Sequence, residues 1–334
     1  LHKLELKPLL VYYVIILFAF RLFNICISNL RYKSKAFPSM QLLDGNLCAK
    51  EIREEISEAV LSLKDQGKRV PHLVAVLVGD DGASKNYVAF KAKDCDEVGF
   101  ESTVITLPET ITENDLLKRI TKLNNDVSVD GFIVQLPLPR HIDETKVILS
   151  IDPIKDVDGF CPENIGNLCL GLPTYISATP NGIMELLKRY NIETEGKNCV
   201  VLGRSNIVGT PISILMSRNT APGNATVTLA HSRTKNLIQL CASADILIVA
   251  IGKTEFVTKE MVKEGAVVID VGQTRVPDQS KKNGFRNIGD VDFENVKHKC
   301  SYITYVTGGV GPMTRASLLQ NTLKAHGRRL KLNS

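Results

Sequence analysis

The stretch NYVAFKAKDCDEVGF, residues 86–100, sets Tyr87 and the two lysines Lys91 and Lys93 on one helical pattern. A lysine amine can exchange a proton near neutral pH only where its charged form is disfavoured, so its place on the helix matters. On a wheel of about 100° per residue with Val88 at the origin, Cys95, Val98 and Ala92 fall near about 340°, 280° and 40° and mark the buried arc. Lys91 at about 300° and Tyr87 at about 260° lie on or beside that arc, whereas Lys93 at about 140° falls among Asp96 and Glu97. Lys93 therefore reads as a surface lysine. For Lys91 two readings stay open: it snorkels past the core edge to water, or a pocket holds it.

A second stretch, IDPIKDVDGF (151–160), offers Asp152, Asp156 and Asp158. Closely spaced aspartates could bind a metal, but no Gly and Glu follow at the spacing of a calcium loop. They could instead cap their own backbone, or one could grip an N–H-rich ring through paired hydrogen bonds. No metal is expected here. The third stretch, CVVLGRSNIVGTPISILM (199–216), reads as strand, glycine turn and helix, with Gly203 and Gly209 six apart. That departs from G-x-G-x-x-G and is weak alone. In a dinucleotide site such a turn puts backbone N–H groups against the pyrophosphate, and the next strand ends at the adenosine ribose. An acid there would favour NAD. Here the strand ATVTLA ends in His231, Ser232, Arg233 and Thr234, with Arg204 opposite and no carboxylate. These groups suit a 2′-phosphate, so NADP is the expected cofactor.

These residues need a scaffold, and 334 residues suggest about two domains. The apolar share of 44% and charged share of 23% are those of a globular chain with a core. The net charge of +5 arises wholly in residues 1–39, which hold six Lys/Arg and one Glu, so the other 295 residues are balanced. That balance leaves no basic surface for a phosphate backbone, and nucleic acid is not expected as a partner. The eight cysteines show neither a C-x-x-C pair nor a zinc spacing and read as reduced core thiols. Within residues 1–39, LLVYYVIILFAF (9–20) is too short to span a bilayer and is followed by Arg21. The segment is expected to lie outside the working fold, as upstream sequence ahead of Met40, with a signal peptide or a membrane anchor as alternatives.

From Met40 amphipathic helices alternate with short apolar strands. The helices include AKEIREEISEAVLSLKDQG, closed at Gly67, and TENDLLKRITKLNND, with Thr112 as N-cap. The strands are HLVAVLVG, STVITLP, GFIVQLPLP, NCVVLG, ATVTLAH, ADILIVAIG and GAVVIDVG. Apolar strands with helical connections predict a parallel α/β sheet.

Seven ordered motifs are together far more specific than any one of them: YVAFK (87–91), GFIVQLPLP (131–139), DPIKDVDGF (152–160), GRSNIVGTP (203–211), ATVTLAHSRTKNL (225–237), GAVVIDVG (265–272) and GGVGPMT (308–314). In this order the chain resembles the bifunctional methylenetetrahydrofolate dehydrogenase/methenyltetrahydrofolate cyclohydrolase family, in its bacterial form, over residues 40–330. The resemblance implies two domains with a cleft between them: an α/β catalytic folate-binding domain and a Rossmann-type NADP-binding domain. Their expected bounds are 40–186, completed by a terminal helix over 312–334, and 187–311. It implies NADP-dependent oxidation of methylenetetrahydrofolate and hydrolysis of the methenyl product to 10-formyltetrahydrofolate, in a cytoplasmic homodimer serving one-carbon metabolism and purine biosynthesis. It implies that Lys91 is the catalytic lysine, Tyr87 the ring stacked on the folate, Gln135 the partner that tunes the lysine and Asp158 the carboxylate on the pterin. Ser84 matches a polar group at the site entrance, and Gly308, Gly309, Val310 and Gly311 match a loop bordering the folate. Gly203, Arg204, Ser205, Ser232 and Gln273 match positions that contact NADP.

The chain departs from the family pattern in three places. ISATP (176–180) lacks the usual proline-cysteine, which is expected to leave the chemistry alone. Gln273 stands where an isoleucine is usual. Tyr305 and Thr307 replace two prolines that would stiffen the folate-side loop, so a less rigid loop and weaker substrate binding are expected. Two other readings remain: a dehydrogenase without the hydrolytic step, and an idle nucleotide-binding module of the same shape.

Overall fold

The computed structural model describes residues 40–281 and 284–332. The expectations for residues 1–39 lie outside the described residues. Strands β1 (Gln41–Leu43), β2 (His72–Val78), β3 (Glu101–Leu107) and β4 (Gly131–Val134) come first, then β5 (Asn198–Leu202), β6 (Thr226–Ala230), β7 (Ile246–Val249) and β8 (Ala266–Asp270). A short antiparallel pair follows, β9 (Thr274–Pro277) with β10 (Phe285–Ile288), and β11 (Cys300–Thr304) closes the set. Two parallel sheets result, one of three strands in the order β3-β2-β4 and one of six in the order β1-β11-β8-β7-β5-β6. This is the expected two-domain α/β architecture.

The apolar runs become strands because helices cover both sheet faces, so β2, β4, β7 and β8 are buried along their whole length. The edge strand β3 departs from that expectation, since only Leu107 is buried and Ile105 partly so, while the others face solvent. Its Thr and Ser positions suit an edge. Thr112 caps the helix Glu113–Asn125 as expected, accepting from the Asp115 N–H at 3.2 Å. Gly67 ends the first helix, Gly45–Asp65, in a left-handed turn at φ 67°.

Chain order and sheet membership separate at the two ends. The strand β1 opens the segment expected to bind folate, yet it pairs with β11 in the six-stranded sheet. The closing helix begins at Val310, two residues before the expected start, and runs to Leu332. It packs on the helices Gly45–Asp65 and Ala178–Arg189, which lie before β5 in the chain. Sequence reading missed β1, β9, β10, β11 and the short helices Glu144–Leu149, Pro162–Leu170 and Leu237–Ala242. Most of these are too short to show a period.

Candidate active site

The helix Gly82–Glu97 carries Tyr87 and Lys91, and Asp81 fixes its start by accepting from the Ser84 N–H at 2.8 Å. Val88, Cys95, Val98, Ser84 and Asp94 are all buried, while Ala92 is only partly so. The buried arc is therefore turned further than the apolar residues alone suggested, and Lys91 sits inside it. Asp94 explains the turn: Arg315 of the closing helix donates to it at 2.6 Å, and a paired carboxylate can be buried. The same guanidinium lies 5.1 Å from the Phe90 ring centroid. Lys93 is exposed. The pocket reading of Lys91 is the one that the geometry supports.

Lys91 Nζ donates to Gln135 Oε1 at 3.1 Å. Gln135 directly follows β4, with its backbone N–H bonded to the Val76 carbonyl and its own amide nitrogen donating to the Leu136 carbonyl at 2.7 Å. With the amide group oriented by that second bond, its oxygen is committed to the lysine. Burial pushes the Lys91 amine below the ordinary lysine range, and the Asp158 charge works in the opposite sense. Burial pushes the Asp158 carboxyl up, opposed by Lys91. The Tyr87 hydroxyl is likewise raised by burial, with Arg315 opposing.

The aspartate stretch divides by role. Asp156 accepts from the backbone N–H groups of Gly159 and Cys161 at 3.1 and 2.7 Å and from Asn164 at 3.0 Å, and Asp152 accepts from Ile154 at 3.0 Å. Those two cap their own loop. Asp158 instead faces a cavity of about 340 Å³ that Tyr87, Lys91 and Gln135 also line. Among the described residues no cluster of His, Cys, Asp or Glu is arranged to hold a metal ion. The Ser177 hydroxyl donates to the Gly159 carbonyl at 3.1 Å, and Thr179, which bonds Thr314 at 3.0 Å, lines the cavity. The altered ISATP segment thus braces the loop beside Asp158.

The far wall comes from the six-stranded sheet: Ile207 of the glycine turn, Asp270 and residues 271–273 beyond β8, and Val306, Val310 and Gly311. Of the candidate cofactor residues only Gln273 lines this cavity; Gly203, Arg204, Ser205 and Ser232 lie outside it, as do Ser84, Gly308 and Gly309. Tyr87 Oη donates to Gln273 Oε1 across the cleft at 3.3 Å. The loop 305–311 is held without its two prolines. The Tyr305 ring meets Phe293 edge-on at 5.0 Å, and the Asn46 N–H bonds the Gly308 carbonyl at 3.0 Å.

The glycine turn fits a dinucleotide. Gly203 has φ 121°, and a Cβ there would strike the Ala250 backbone, while one at Gly209 would strike the Gly203 carbonyl. Ser205 Oγ accepts from the N–H groups of Val208 and Gly209 at 3.2 and 3.4 Å. Arg204, Ser232 and Arg233 are exposed at the ends of β5 and β6. Their donor set is of a kind that suits a phosphate.

Sequence reading missed Asp270 in this wall. It ends the apolar strand β8 and accepts from the N–H groups of Gly272, Asp290 and Val291 at 2.9, 3.0 and 3.0 Å. Burial lifts its carboxyl to about 7, opposed by the Val291 and Asp290 N–H groups, with the Asp290 charge adding to the rise. Its only sequence signal was an acid ending a run of Val and Ile.

Comparison with known proteins decides the family. The model of the tetrahydrofolate dehydrogenase/cyclohydrolase catalytic domain matches residues 43–158, and that of its NAD(P)-binding domain matches residues 177–330. This chain belongs to the tetrahydrofolate dehydrogenase/cyclohydrolase family. It is 62% identical over 286 residues to the bifunctional protein FolD of Cytophaga hutchinsonii, covering 86% of this chain and 99% of that one. The crystal structure of the bifunctional FolD of Campylobacter jejuni superposes with a TM-score of 0.81 at 47% identity, covering 87% of this chain and 99% of that one. The FolD of Trypanosoma brucei, solved with NADP and an inhibitor, gives a TM-score of 0.83 at 37% identity over 88% of this chain and 99% of that one. The chain is thus a bifunctional dehydrogenase and cyclohydrolase, and NADP is its cofactor. Among the described residues no helix is long and apolar enough to cross a membrane.

Proposed function

We propose that the cavity between the two sheets is where both reactions occur, with Lys91, Gln135, Tyr87 and Asp158 as the residues that act. The observation that carries this is the Lys91–Gln135 bond at 3.1 Å in a cavity also walled by Asp158 and Tyr87. The folate lies with its pterin on Tyr87 and its ring N–H groups on Asp158, along the loop 308–311. Bound in the cleft, NADP⁺ would supply the acceptor for the hydride that leaves the one-carbon bridge. Gly203, Arg204, Ser205, Ser232 and Gln273 hold it, with Ser232 and the neighbouring cations on its 2′-phosphate.

Loss of hydride leaves a methenyl cation on the folate. An ammonium beside that cation would be repelled, so a lysine with a lowered pKa suits the place. Gln135 orients the amine by accepting one of its protons. Water attacks the cation, and Lys91 takes and returns protons while the ring opens to the formyl product. Orientation on Tyr87 and Asp158 brings the reacting carbon to both groups.

The domain division at about residue 186, with the closing helix completing the folate side, belongs to the same reading. A cytoplasmic homodimer serving purine biosynthesis accords with the motifs and with reduced, buried thiols at six of the seven described cysteines. The strand β6 lies at an edge of the six-stranded sheet with Thr226 and Leu229 exposed, a place where a second copy can pack. The test is turnover by the purified chain with methylenetetrahydrofolate and either NADP⁺ or NAD⁺. NADPH formation with release of 10-formyltetrahydrofolate is expected. No turnover would favour the idle module, and release of the methenyl species alone would favour a dehydrogenase without hydrolysis.

A further inference from the structure

Gln273 touches more of the site than a cofactor contact requires. It lies just beyond β8, in the turn whose Gly272 N–H is fixed by Asp270 at 2.9 Å. Asp270 also binds the N–H groups of Asp290 and Val291, so the root of the turn is braced from two chain segments. The side chain is exposed, and its Oε1 accepts from Tyr87 Oη at 3.3 Å. A Cβ built on Gly311 would lie 3.8 Å from the same oxygen. One carboxamide, rooted in the turn after β8, thus bonds the helix that carries Lys91 beside the start of the closing helix. Tyr87 is 36% exposed and has no other side-chain hydrogen bond among those of the described residues, so this bond is what sets its hydroxyl. An isoleucine at this position would have no acceptor to offer.

We infer that Gln273 is a positioning residue that couples the two ligand sites: a cofactor seated on the 271–273 turn fixes the carboxamide, and the carboxamide fixes the Tyr87 ring for stacking. A ring ordered in advance binds its ligand with less loss of freedom. By linkage, each ligand then tightens the other by the same factor. This inference rests on the reading of the cleft as the joint folate and NADP site.

The experiment measures tetrahydrofolate affinity with and without saturating NADP⁺, because tetrahydrofolate lacks the one-carbon bridge and cannot react. The ratio of the two dissociation constants is the coupling factor. It is compared among the parent, Gln273→Met, Tyr87→Phe and the double variant, each of which keeps its apolar bulk. Thermal unfolding checks that each variant is folded, and the NADP⁺ concentration is set to saturate each variant separately. A net hydrogen bond of this neutral kind predicts that NADP⁺ tightens tetrahydrofolate in the parent, and that either single change reduces the factor about 2- to 10-fold. The double variant is expected to lose no more than one single change. A parent factor of one, a factor unchanged in Gln273→Met, or additive losses in the double variant would each overturn the coupling. Tyr87→Ala separates this from failure of the site itself. If that change leaves tetrahydrofolate affinity untouched, the folate reading of the cavity is wrong, whatever the coupling.

Discussion

At the residue scale the lowered pKa of Lys91 has a direct kinetic consequence. The neutral amine is the form that accepts a proton, and it predominates above the amine's own pKa. Because burial lowers that value from 10.5, the active form extends to lower pH than for an ordinary lysine. The cyclohydrolase rate, measured on methenyltetrahydrofolate, is expected to rise with pH through that lowered value and then level off. Lys91→Met should flatten the profile, and a parent profile already flat would contradict the assignment. Ser232→Asp tests the cofactor side. A carboxylate at the end of β6 would repel a 2′-phosphate, so kcat/KM should move from NADP⁺ toward NAD⁺ by about tenfold or more. An unchanged ratio would place the 2′-phosphate elsewhere. The exposed place of Lys93 was legible from spacing on one helix, whereas spacing left Lys91 open and its bond to Gln135 decides for the pocket. Asp270 was not legible, because besides the neighbouring Gly272 N–H it gathers those of Asp290 and Val291 from a distant segment, and no local pattern announces that.

At the element scale the short turns set the geometry. Gly203 bends the chain at φ 121° directly against the Ala250 backbone. Gly203→Ala is therefore expected to cost about 1–3 kcal/mol of stability or to displace the turn. NADP⁺ affinity should fall about tenfold or more, while hydrolysis of added methenyltetrahydrofolate is largely kept. Equal loss of both activities would mean that the turn supports the whole fold rather than the cofactor. The loop 305–311 makes the opposite point. Its missing prolines pointed to a softer segment, but Tyr305 packs on Phe293 and Gly308 bonds Asn46. The second contact joins the loop to Asn46 near the start of the described chain, which sequence spacing cannot show. Helices and central strands were legible because their periods are long enough to read. The three-residue strand β1 and the antiparallel pair β9–β10 were not.

At the scale of the molecule the closing helix returns to the helices before β5, and one buried cluster helps to hold it there. Asp130, just before β4, accepts from Arg69 at 2.5 and 2.6 Å and from the His72 N–H at 2.9 Å, and it meets His326 of the closing helix at 3.1 Å. Burial opposes its charge, but the bonds from His326, Arg69 and His72 prevail and hold its carboxyl down at about 2, against 3.8 unperturbed. A depressed folded-state value contributes stability above pH 3.8 that is lost as pH falls through about 2. Asp130→Asn should thus cost about 2–3 kcal/mol near neutral pH, shrinking between about pH 4 and pH 2, by denaturant titration. A cost independent of pH would assign the loss to packing alone.

Both activities are assigned to one cleft, with Lys91 needed for the second, and a single time course tests that claim. Methylenetetrahydrofolate and NADP⁺ are mixed with the parent, Lys91→Met or Lys93→Met while NADPH and methenyl absorbance are followed together. The parent and Lys93→Met are expected to form NADPH with little methenyl accumulation. Lys91→Met should still form NADPH in part, while the methenyl species builds up because its hydrolysis is slowed about 10²–10⁴-fold. Small and equal effects from the two substitutions, with no methenyl accumulating in either, would contradict the account.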